Sequence, residues 1–183
     1  MTQTQKTHRL AVAAMLTAVA AVLQFVEFAI PLMPSFIKLD ISDLPALLGT
    51  FSLGPVYGVA IQLAKNLLHL PFGSSAGVGE LSNFILGAVF VFVAGIIYKH
   101  NKSRKSALVG SVAGAAAMAL VSIVTNYFIV YPAYVVLYKL PLEAIVGMYE
   151  AILGGVSHVP TQNALLNCLL VFNVPFTCLL YTS

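Results

Sequence analysis

The sequence predicts an all-α integral membrane protein, a compact bundle of six transmembrane helices in which the second and third are short. Three observations carry this. Hydrophobic residues make up 60% of the chain and charged residues 8%, where a soluble domain carries roughly a quarter charged residues. Mean hydropathy is +0.95. The apolar residues also come in continuous runs, which fits helices and not the every-second-residue alternation of an outer-membrane barrel. The 183 residues make a single membrane domain.

The first apolar run, residues 10–30, is 21 residues long and follows Lys6, His8 and Arg9. A signal peptide has a shorter apolar core and a small-x-small cleavage site, so a retained first helix is predicted. Pro31 ends it, and "PLMPSFIKLDISDLP" is a polar, proline-punctuated loop holding Lys38, Asp40 and Asp43. "GSSAGVG" marks a second loop before an apolar run from about residue 81 to 98. "KHNKSRK", residues 99–105, concentrates four of the nine basic residues, and residues 107–131 form another long span. A looser stretch to Pro160, with Lys139, Pro141, Glu143 and Glu150, precedes a last apolar run from Thr161.

Between the first two loops lies "LPALLGTFSLGPVYGVAIQLAKNLLHLPF", residues 44–72, with Lys65 as its one formal charge. A single crossing there would put the basic amino terminus and the KHNKSRK loop on opposite faces, against the positive-inside rule. Two crossings put both inside. Twenty-nine residues are short for two spans of about 20 each. Gly54 tolerates a turn and Pro55 lacks an amide donor, so two short helices joined by a tight turn are predicted. Both termini then lie in the cytoplasm, all six acidic residues lie toward the outer half, and the outer loops 31–43, 71–79 and 132–160 roof a space above the short helices.

An outward-opening pocket is the expected consequence, and its candidate polar residues are Asp40, Asp43, Lys65, Asn66, Glu80, Asn83, Asn126 and Thr177. Ionisable groups in a membrane are costly and so mark function. Plainer roles compete with this: helix capping near the headgroups, with Asp43 as the N-cap of "LPALL", and snorkelling for Lys65. Enzyme motifs are missing. His8, His69, His100 and His158 have no paired metal spacing, and "GSSAGVGE" matches neither a P-loop nor a dinucleotide fingerprint. Ser74 and Ser75 read as turn formers. Cys168 and Cys178 have neither CxxC nor metal spacing. The net charge of +3 is local and speaks to membrane topology, not to a nucleic-acid partner.

Four stretches, "LDISDLPALLGTFSLGPVYGVAIQLAKNLLH", "GVGELSNFILG", "TNYFIVYPAY" and "FNVPFT", resemble, in order and spacing, the riboflavin-specific S components of energy-coupling factor (ECF) transporters. The aspartate loop and Gly-Glu-Leu are shared among vitamin S components, whereas Asn-Tyr-Phe and Asn-x-Pro-Phe point to the flavin branch. The resemblance implies a six-helix, multi-pass protein of the bacterial cell membrane. It further implies capture of riboflavin from outside and association with a transmembrane coupling subunit and two cytoplasmic ATPases. No cofactor is implied; riboflavin is the transported substrate. Asn126 matches the position whose amide reads the pyrimidine edge of the isoalloxazine, where donor and acceptor suit alternating carbonyl and imide groups. Thr177 contributes to the same end, and the aspartate loop with Glu80 and Asn83 meets the ribityl hydroxyls. Ala14 and Ala18 resemble the family's Ala-xxx-Ala docking surface, small residues that let a partner helix approach closely; packing within the chain's own bundle is the alternative. An S component for another vitamin, or a structural membrane subunit, are the alternatives to the whole reading. After "VFNVPFT" the family pattern would continue through a lysine near position 180. The chain reads "CLLYTS" instead, which a common transposon sequencing adapter encodes in one frame, so residues 178–183 are expected to be non-native.

Overall fold

The computed structural model of the chain describes residues 2–26, 28–29, 38–39, 41–73, 77–130 and 132. Within them lie five α-helices: α1 (Gln3–Gln24), α2 (Asp43–Leu53), α3 (Pro55–His69), α4 (Val78–His100) and α5 (Arg104–Thr125). Two-residue strands β1 (Phe28–Ala29) and β2 (Lys38–Leu39) pair antiparallel between α1 and α2, Phe28 opposite Leu39 and Ala29 opposite Lys38. The expected sixth helix, Asp40, Thr177 and residues 178–183 lie outside the described residues.

α1 begins at Gln3, ahead of the apolar run, because Gln, Lys and Arg are good helix formers and extend the helix beyond its apolar part. Its buried positions Ala13, Ala20 and Gln24 follow the helical repeat and form one face. Leu10, Met15 and Val22 stay exposed. α1, α4 and the helical run Arg104–Ile129 are long and apolar enough to cross a membrane.

Residues 44–72 are indeed two helices. α2 has 11 residues and α3 has 15, about 16 and 22 Å at 1.5 Å per residue. Gly54 alone joins them, at φ +114°, a backbone region that L side chains rarely adopt. Pro55 follows at the first helical position of α3, where its missing N–H costs nothing. A Cβ on Gly95 would stand 2.8 Å from Pro55 Cβ. The turn therefore lies at the level of Gly95, about 26 Å along α4 from Val78 and near its basic end.

α4 and α5 pack backbone to backbone. A Cβ on Gly110 would stand 2.9 Å from the Ala94 carbonyl oxygen, and one on Gly114 2.7 Å from that of Phe90. This is a Gly-xxx-Gly face admitting its neighbour closely. The two pairings step in opposite directions along the helices, so α4 and α5 are antiparallel. Ser103 starts α5, its Oγ accepting the Ser106 N–H at 3.1 Å. The apolar core, Ala13, Ala20, Ala46, Ile61, Phe90, Val91, Ala115 and Met118, is rich in small residues. The C-terminal ends of α1, α3 and α5 and the N-terminal ends of α2 and α4 share one end of the bundle; the basic residues 99–105 sit at the other.

Candidate functional site

The polar residues of α3, Gln62, Lys65, Asn66 and His69, recur at i, i+3, i+4 and i+7, so one face of the helix carries them, and all four are buried. Three neighbouring elements meet that face. From the start of α2, Ser42 Oγ and Asp43 Oδ1 accept from the Lys65 ammonium, the former at 2.5 Å. Gln62 Nε2 donates to the same Asp43 oxygen at 2.8 Å. From the end of α1, Gln24 Nε2 donates to Asn66 Oδ1 at 3.2 Å, while Asn66 Nδ2 donates to the Gln62 carbonyl at 2.9 Å. From the start of α4, Glu80 Oε1 lies 3.3 Å from His69 Nδ1. The His69 ring packs 5.0 Å from Phe25, which meets Phe72 edge-on at 5.4 Å.

Two buried charges of the network face each other. Lys65 is 0% and Asp43 3% exposed, so each charge has the other as its counter-ion in place of water. Asp43 stands in the first turn of α2, the helix end whose dipole favours its sign. Two of the competing plainer roles are set aside here. Asp43 is the first helical residue, not an N-cap, and its carboxylate serves Gln62 and Lys65; Ser42 holds the N-cap position without a side-chain cap bond. Lys65 does not snorkel, because its ammonium finds partners inside the bundle.

The structure brings Lys65, Asn66 and Glu80 to one end of the bundle, with Asn83 half-buried one turn further along α4. Asn126 closes α5 at that end, half-buried, and opens a π-helical turn, Asn126–Val130, that packs against α4. Such turns inside helices recur at functional sites. Ala14 and Ala18 are exposed on α1, on the side away from Ala13 and Ala20. Gln24, Ser42, Gln62 and His69 are members of the network that sequence reading passed over. The i, i+3, i+4, i+7 spacing in α3 was the signal for two of them. Among the described residues no group of three His, Cys, Asp or Glu side chains is placed to hold a metal ion.

Helices able to cross a membrane, with charged and amide side chains gathered inside one end of their bundle, mark a polytopic membrane protein with a functional polar interior. The family follows from comparison: residues 8–181 match the model of the ECF transporter substrate-specific component, and the chain belongs to that family. It is 41% identical over 136 residues, 74% of this chain and 72% of the relative, to "Riboflavin transporter RibU" of Staphylococcus aureus (strain TCH60). It is 33% identical over 154 residues, 82% of this chain and 81% of the relative, to "Riboflavin transporter FmnP" of Bacillus subtilis (strain 168). A solved structure described as "Structure and mechanism of the S component of a bacterial ECF transporter" superposes with a TM-score of 0.67 at 35% identity, covering 96% of this chain and 94% of that one. The family is one of transporter components, which removes the enzyme readings.

Proposed function

We propose that the chain is the riboflavin-capturing subunit of an ECF transporter. It takes riboflavin from outside the cell and delivers it through a transmembrane coupling subunit driven by two cytoplasmic ATPases. The observation that carries this is the agreement between relatives that are named riboflavin transporters and a bundle in which the buried charged and amide side chains, among the described residues, gather toward one end. The chain crosses six times with both termini cytoplasmic, since the basic residues of 99–105 and of the amino terminus then share the inner face. The polar end faces outward.

Asn126 reads the pyrimidine edge of the flavin, Thr177 contributes to the same contact, and Asp40, Glu80 and Asn83 meet the ribityl hydroxyls. Lys65 and Asn66, engaged with protein partners, shape the site. Ala14 and Ala18 form the docking face for the coupling subunit, and their exposure in the free chain supports this over packing within the bundle. The test is uptake of labelled riboflavin by cells that lack their own uptake system and co-express the chain with an ECF coupling module. Uptake that requires both, and that unlabelled thiamin or biotin does not compete away, is the expected result; uptake of another vitamin instead contradicts it.

A further inference from the structure

We propose that Lys65 is a positioning residue of the capture site: it holds the Ser42–Asp43 corner, and with it Ile41, in the geometry that receives the ligand, without touching the ligand itself. The proposal deepens the reading above and rests on it for the ligand's identity. Lys65 is fully buried and donates to both residues of the corner. The Asp43 oxygen it meets also accepts from Gln62, so α3 grips one atom of α2 with two donors. Covalently, α2 is tied to α3 only through Gly54, at its far end. The ion pair closes the open end of that hairpin, and β2 ends at Leu39, three residues before Ser42. A buried ion pair is poor evidence for stability, because apolar residues of similar volume often serve as well. What it supplies is direction: an aliphatic chain packs in several ways, whereas an ammionium between a hydroxyl and a carboxylate fixes where the corner stands.

The test is a double-mutant cycle read in two ways. Lys65→Met and Asp43→Asn should each raise the riboflavin Kd about tenfold or more, the usual scale for a lost charged hydrogen bond. The double variant should be no more than about threefold worse than the weaker-binding single, because both changes remove the same pin. Factors that multiply would mean that Lys65 contacts the ligand on its own account, and unchanged affinity in both singles would mean that the corner does not position the site; either result overturns the proposal. The second readout needs no ligand. With Cys168 and Cys178 replaced, a spin label at Ile41→Cys, an exposed position beside the corner, should gain mobility in Lys65→Met, while one at Val56→Cys, exposed near the Gly54 turn, should not change. An equally ordered label at position 41 overturns the proposal whatever the ligand. A wild-type protein that binds no riboflavin, with the label still mobilised by Lys65→Met, would sink the riboflavin reading and leave the corner's dependence on Lys65 standing. If Lys65→Met fails to fold, Lys65→Met/Asp43→Asn, which removes both members of the pair, carries the label measurement.

Discussion

Asn126 stands where α5 gives way to a π-helical turn, and its amide offers both a donor and an acceptor. Asn126→Leu keeps the size and removes both, so riboflavin affinity should fall by about 1–3 kcal/mol, roughly 5- to 150-fold in Kd. Thermal stability should hold, because the residue is only half-buried. Unchanged affinity in a well-folded variant removes Asn126 from the site. Gly114 poses the opposite question, of packing without chemistry. With the Phe90 carbonyl oxygen 2.7 Å from where its Cβ would stand, Gly114→Leu must push α4 and α5 apart, destabilising by about 1–3 kcal/mol. A lowered melting temperature, set against no change for Ala116→Leu on the exposed side of α5, is the expected measurement.

At the scale of elements, the proposed reading gives the two faces of α1 separate duties. Ala13, Ala20 and Gln24 face the bundle, while Ala14 and Ala18 face out. Ala14→Trp and Ala18→Trp should therefore leave riboflavin binding intact and abolish uptake with the coupling module, since bulk on a small-residue face blocks close helix approach. Loss of binding in these variants would place the alanines in the core instead. The elements also show what sequence alone can and cannot tell. The hairpin of α2 and α3 was legible because Gly54 and Pro55 are residues whose backbone limits are local. The start of α1 was not, because hydropathy marks where lipid ends while helix propensity runs on into water. The pairing of Lys65 with Asp43 joins residues 22 positions apart, and no local pattern records it. Asp43 before an apolar run reads as a cap by propensity, and only the packing of α3 against it shows where the carboxylate goes.

For the whole molecule, the proposed orientation rests on the separation of charge. Residues 99–105 hold four of the nine basic residues, and the polar network lies at the opposite end of the bundle. In a variant lacking Cys168 and Cys178, Ile41→Cys should react from outside with an impermeant thiol reagent, and Asn101→Cys should react only after permeabilisation. Asn101 is exposed. Outside labelling of Asn101→Cys would reverse the orientation and put the polar end in the cytoplasm. The central claim is that this bundle by itself captures riboflavin, and the most direct measurement is equilibrium binding to the purified protein, followed by quenching of flavin fluorescence. The account predicts saturable binding of one riboflavin per chain that thiamin and biotin do not displace; fluorescence that stays unquenched at saturating concentrations of folded protein would contradict it.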